Sequence, residues 1–181
     1  MVSHETKSSE LCIAFKEWAV VCLALASGRQ SLILRKGGIA EVGGEFRPEH
    51  NRFLLYPTHF HEQQRLGIKT EFLTLLDETE AERPPFGVVR LSHWAEVMAV
   101  RFAEKWDDVL ALDSEHIWSE ETVRQRFAYR KPGLYVLNVS VRPLPTPVEI
   151  GETPEYAGCK TWVQLAESVP ISDAGNDQVS R

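Results

Sequence analysis

A chain of 181 residues, 43% hydrophobic and 25% charged, has the size and composition of one well-packed soluble domain and is short for two. Its formal net charge of −6 argues against non-specific nucleic-acid binding through a generally basic surface, while leaving room for a local basic pocket. Three widely spaced cysteines (Cys12, Cys22 and Cys159) form no CxxC pair, so neither a zinc site nor a disulfide framework is implied and a reducing cytoplasm is the expected home.

Residues 1–10 are polar and expected to be disordered. Leu11, Phe15, Trp18, Cys22 and Leu25 step by fours and threes, which predicts a helix over Leu11–Leu25 with Ser9 as N-cap and Gly28 at its end. The run is apolar beyond that stripe, so the helix should be buried against a sheet. Lys16 and Glu17 interrupt it, which also makes it too short to span a bilayer; no cleavable leader precedes it. They read either as a solvated edge or as groups near a pocket mouth.

Ser31–Arg35 is a continuous apolar run and reads as a central strand. Gly37-Gly38 then turns the chain. Glu41–Pro48, with Gly43-Gly44, reads as a loop or hairpin tip. Phe53–Tyr56 is a neighbouring strand stopped by Pro57, and Thr58 is placed to cap a short helix over His59–Leu66 that ends at Gly67. Ile68–Leu76 leans to strand, and Asp77–Pro85 to an exposed loop. Phe86–Phe102 alternates and predicts a strand bulged around Ser92-His93. Trp106–Leu112 predicts a short helix. Ser119 caps a second helix reaching Phe127, with Glu120 and Glu121 in its first turn. Leu134–Val141 is the clearest strand, and Pro143, Pro145 and Pro147 read as a stiff connector. Residues 11–166 should form a single α+β domain with a mixed, strongly curved sheet or a small barrel, and residues 167–181 a disordered tail.

The chemistry-bearing groups cluster at two strand ends. Arg35 and Lys36 before Gly37 and Gly38 resemble an anion cradle, because a guanidinium forks onto phosphate and glycine amides face an anion. Thr58 and His59 end the next strand and join them as candidate ligand contacts. His61, with Glu17 or Glu62 as carboxylate partner, is the candidate for acid–base work. Two histidines at i and i+2 share a face on a strand but not on a helix, so no metal is expected, and nothing calls for another cofactor. Three function classes stay open: a nucleic-acid or nucleotide binding module, a small hydrolytic enzyme using His61, and a structural or partner-binding domain.

Ala14-Phe-Lys-Glu-Trp-Ala-Val20, Leu34-Arg-Lys-Gly-Gly-Ile39, Phe53-Leu-Leu-Tyr-Pro-Thr58 with His61, His116-Ile-Trp118, and Gly158-Cys159 with Trp162 resemble the bacterial domain-of-unknown-function 1802 family. That resemblance covers roughly residues 11–166 and implies no assigned activity. More loosely, a helix followed by Gly28-x-Gln30, a strand ending in Arg35, and the late helix before Leu134–Val139 are similar to ASCH domains of the PUA-like superfamily. This second resemblance implies a small mixed β-barrel with a cleft beside its first helix that takes RNA, modified bases or nucleotides.

Overall fold

The computed structural model describes residues 8–172 except 38, 43, 44, 60 and 159, and gives the backbone alone for residues 8, 39–42, 45, 46 and 61. In chain order the elements are β1 (Ser8–Trp18), α1 (Ala19–Ala26), β2 (Leu32–Arg35), β3 (Ile39–Val42), β4 (Glu45–Pro48), β5 (Arg52–Thr58) and α2 (His61–Gly67). A 3-10 turn, Thr70–Phe72, leads into α3 (Leu73–Ala81), followed by β6 (Val88–Ala103), α4 (Trp106–Leu110), α5 (Glu120–Ala128), β7 (Leu134–Gly151) and β8 (Trp162–Ser172). Six strands form one curled sheet in the order β2-β7-β6-β5-β1-β8, and β3 and β4 pair separately as a hairpin. Only β1 and β5 run parallel within the six, so the sheet is mixed, and its end strands β2 and β8 do not hydrogen-bond to each other to close it. The fold is α+β, as the order of elements predicts.

Alternation along the strands sorts the apolar side chains into two cores. Phe53 and Leu55 of β5 pack with α1, β2 and Trp118, while Leu54 and Tyr56, one residue out of phase, pack with Trp94 and Val163. Val20, Val21, Cys22, Ala24 and Leu25 of α1 are buried in the first core, so this helix sits against the sheet as a greasy plug.

The expected helix over Leu11–Leu25 is half strand. Residues Ser8–Trp18 are β1, and the helix begins only at Ala19. A strand buried on both faces yields an unbroken apolar run, which helical spacing cannot be told from. Ala14 faces one core and Phe15 the other, and a register shift between Leu11 and Ile13 moves the pattern by one residue. The helix end is as expected: Gly28 has φ of +70°, and the Arg29 amide donates back to the Ala24 carbonyl at 2.9 Å.

Other boundaries differ for physical reasons. Strand β2 lies at the end of the sheet instead of its centre, separated from β5 by β7 and β6. Its Leu32, Ile33 and Leu34 are all buried in the α1 core, which is why it reads as central. Pro57 does not stop β5, which runs to Thr58. The β6 ladder pairs only with Arg52–Leu54, so no neighbour there needs a proline N–H. In the stretch Ile68–Leu76, Ile68 bridges to Trp118 and the chain is helical from Thr70, with α3 continuing to Ala81 through the start of the expected loop. Leu75, Leu76 and Thr79 supply its buried face at helical spacing. The three prolines lie inside β7, where Leu91 pairs with Val148 and His93 with Pro143. Residues 144–147 therefore bulge opposite Ser92, and the bulge accommodates residues that cannot donate to the ladder. The break in β6 at Ser92 falls where the sequence predicts it. Ser8–Glu10 and 170–172 pair with one another at the open end of the sheet, so β1 and β8 extend past the expected limits at residues 10 and 167. Residues 1–7 and 173–181 of the expected tails lie outside the described residues. Among the described residues no helix is long and apolar enough to cross a membrane.

Candidate functional site

The parallel pairing of β1 with β5 sets Glu17 beside Pro57 and Trp18 beside Thr58, so the C-terminal ends of these strands emerge together. The end of β2 and the end of α5 come to the same place, because the sheet curls. The result is a cleft of about 1090 Å³ walled by Lys16–Trp18, Leu34–Gly37, Tyr56–His59, residues 83–90, Gln125, Arg126, Tyr129, Glu152 and residues around 157–161. Strands that are not neighbours in the sheet thus deliver their ends to one site.

The lining is basic although the chain is acidic. Lys16, Arg35, Lys36, Arg83, Arg90, Arg126 and Lys160 face only Glu17 and Glu152 among the acidic residues of the wall. Most of these cations already have acceptors. Lys16 Nζ donates to the Tyr156 and Gly158 carbonyls. Arg90 bonds Glu149 at 2.8 Å, Arg83 lies 3.6 Å from Glu80, and Lys160 donates to the Glu155 carbonyl at 3.1 Å. Lys36 Nζ donates to the carbonyls of Phe127 (2.8 Å), Gly133 (2.7 Å) and Lys131, tying the end of α5 to the start of β7. Burial lowers the Lys36 pKa.

Arg126 differs from all of these. Its guanidinium lies 3.8 Å from the centroid of the Trp118 ring and 5.9 Å from that of Trp18, and it makes no hydrogen bond or ion pair with any described residue. The two indoles are 4.7 Å apart, centroid to centroid. Burial lowers the Arg126 pKa, the charge of Glu17 opposes that, and Arg35 adds to it. The plane of a stacked guanidinium leaves its N–H donors free at the edge, here on the cleft wall. Arg35 stacks 5.0 Å from the Phe15 centroid and donates from Nη2 to Thr161 Oγ1, leaving further donors unused. Its pKa is likewise lowered by burial against the raising effect of Glu17.

The expected site residues fall into place unevenly. Arg35, Lys36, Gly37, Thr58, His59 and Glu17 all line the cleft. Gly38 lies outside the described residues, as does the His61 side chain. Glu62 is exposed and is not part of the wall. A Cβ on Gly37 would meet nothing within 4 Å, so packing alone does not require glycine there. Thr58 lies three residues before α2 begins, and its hydroxyl donates to the Glu17 carbonyl at 3.0 Å. His59 Nδ1 lies 3.5 Å from Glu80 Oε1, and burial lowers its pKa against the pull of that carboxylate. Tyr56 closes the back of the cleft with its hydroxyl buried and unpartnered among the described residues; burial first, then Glu152 and Tyr156, pushes its pKa to about 12. Among the described residues no cluster of three His, Cys, Asp or Glu side chains is able to hold a metal ion.

Arg126 and its two tryptophans were not legible as a site. The available signal was the spacing Val123–Arg126, which puts an arginine on the buried face of an otherwise polar helix.

The family model described as "Domain of unknown function (DUF1802)" matches residues 14–178. No curated protein matches the chain. Among solved structures, the crystal structure of ASCH from Zymomonas mobilis is similar at 13% identity and a TM-score of 0.45, over 80% of this chain and 89% of that one. A mutant form of ZmASCH from the same organism is similar at 13% identity and a TM-score of 0.47, over 75% and 72% of the two chains.

Proposed function

We propose, from the premise that the chain belongs to the DUF1802 family, that it is a binding module for a nucleotide or a short single strand of nucleic acid, held in the cleft at the joined ends of β1, β2 and β5. The observation that carries this reading is Arg126: a guanidinium stacked on Trp118, open to the cleft, without a hydrogen-bond acceptor among the described residues. This half-buried guanidinium keeps unused N–H donors, and a phosphate supplies acceptors for them in a bidentate geometry. Arg35 offers a second fork from the opposite element, and Lys36 braces the turn that carries it. At the rim, Phe86 and Tyr129 are exposed and line the same cleft, as faces on which a base could stack. In this reading Thr58, His59 and Gly37 shape the wall.

The test is titration of labelled nucleotides and short single-stranded RNA and DNA into wild type and Arg126→Ala. Loss of a charge-assisted hydrogen bond removes about 1.5–3 kcal/mol, so the variant should bind roughly ten- to a hundred-fold more weakly. Circular dichroism and melting of the free protein show whether the fold survives. Wild type that binds no such ligand, or an intact variant that binds equally well, removes the reading.

A further inference from the structure

Glu17 is a carboxylate on the cleft wall with only 8% of its surface exposed. Its charge is felt by both Arg35 and Arg126, yet neither guanidinium comes within ion-pair distance of it. One oxygen, Oε1, accepts the amide of Trp18 at 2.9 Å. The other has no donor among the described residues. A carboxylate has room for about four hydrogen bonds, so Glu17 keeps spare acceptor capacity at the cleft wall. Its position is set by the backbone, because Glu17 pairs with Pro57 in the parallel ladder and its carbonyl is held by Thr58. An acceptor of fixed position thus stands beside two cationic donors in one cleft.

Building on the nucleotide reading above, we infer that Glu17 reads the N–H edge of the ligand's base and that the favoured base is guanine. Guanine presents two adjacent donors, N1–H and the N2 amino group, and a carboxylate answers with acceptors alone. Adenine offers one donor beside an acceptor on that edge. Cytosine offers one donor followed by acceptors, and uracil a single donor between two carbonyls. Each of those sets a lone pair against the carboxylate. The phosphate meets Arg126, so base choice and anion binding belong to different residues.

The experiment measures affinities of GMP, IMP, AMP, CMP and UMP for wild type, Glu17→Gln and Arg126→Ala. A good bidentate contact discriminates by about 1–3 kcal/mol, so wild type should bind GMP at least about fivefold more tightly than AMP. IMP, which lacks the N2 amino group, should fall between them. Glu17→Gln replaces one acceptor by a donor, so GMP should weaken and AMP should strengthen relative to it. Arg126→Ala should weaken all five nucleotides by a similar factor. Equal binding of the five by wild type overturns the guanine assignment and leaves the cleft reading standing. Glu17→Gln lowering all of them by one common factor makes Glu17 a residue that orients the arginines, and the assignment also fails. Wild type that binds none of them removes both. The wild-type GMP, IMP and AMP series stands by itself should the Glu17→Gln variant not fold.

Discussion

Lys36 shows how one residue supports two readings. As a cation beside glycine it looks like a ligand contact, and it does line the cleft, but its ammonium already donates to three carbonyls at the end of α5 and the following turn. Lys36→Met should therefore lower stability by about 1.5–3 kcal/mol in denaturant unfolding, the worth of hydrogen bonds to a charged group. Unchanged stability combined with lost anion binding would instead make it a direct contact. His116 makes a second prediction at this scale. It is 2% exposed, its Nδ1 has no partner among the described residues, and burial first, then the charge of Lys69, lowers its pKa to about 4. The unfolded value is near 6.5, so the unfolded chain binds the proton more readily. The stability this residue contributes is complete above pH 6.5 and is lost as pH falls towards 4, amounting to roughly 3 kcal/mol for a shift of that size. Unfolding free energies of wild type and His116→Gln between pH 7 and pH 4 check it: the slope of wild type should be steeper, and parallel slopes would contradict the assignment.

Helix ends and strand ends place the site, so small changes at them should be felt in the cleft. Gly67 closes α2 and its carbonyl accepts the Ser119 amide at 2.9 Å, which joins α2 to the cap of α5. A Cβ at Gly67 would stand 2.5 Å from the Trp18 ring. Gly67→Ala must displace the Trp18 ring and with it disturb the stack under Arg126. Overpacking of this kind costs about 1–3 kcal/mol, and the tryptophan fluorescence of the folded variant should shift. A spectrum and stability identical to wild type would mean that Trp18 is free to move aside. Ser119 is the N-cap of α5, accepting the Thr122 amide at 3.3 Å. Ser119→Ala should cost about 1 kcal/mol, and a melting curve superimposable on wild type would argue against that cap.

For the molecule as a whole, the decisive contrast is between a net charge of −6 and a cleft with seven lysines and arginines against two glutamates. If the cleft takes a phosphate as proposed, an acidic body repels polyanions elsewhere while the basic wall attracts that phosphate. Binding of a short single-stranded RNA should therefore weaken with salt, and the logarithmic slope should be shallow, set by the few phosphates that reach the cleft. Arg126→Ala should reduce that slope by about 0.7 if it neutralises one phosphate of a single strand. A steep wild-type slope unaffected by Arg126→Ala would place the RNA on some other surface.

Read alone, the sequence determined what depends on short-range chemistry. Alternation marked Leu134–Val141 as a strand and Ser92 as a break in β6. Ser119 and the two glutamates after it announced α5, and the family resemblance was carried by contiguous motifs such as Leu34–Ile39. It also singled out Arg35, Thr58 and His59 at strand ends, because a strand's last residues are where charged and polar groups re-enter an apolar run. The tertiary structure decided what depends on partners distant along the chain. Whether Leu11–Trp18 is strand or helix turns on β5 and β8 being there to pair with it, and burial on both faces erases the period that would tell the two apart. That β2 is an end strand, and that its tip nonetheless meets the tip of β5, follows from strand order and curl. Arg126 gained its meaning in the same way. Trp118 sits just before the cap of α5, but Trp18 and Glu17 arrive from the other end of the chain, and only the folded sheet leaves that guanidinium stacked, half-buried and without an acceptor among the described residues.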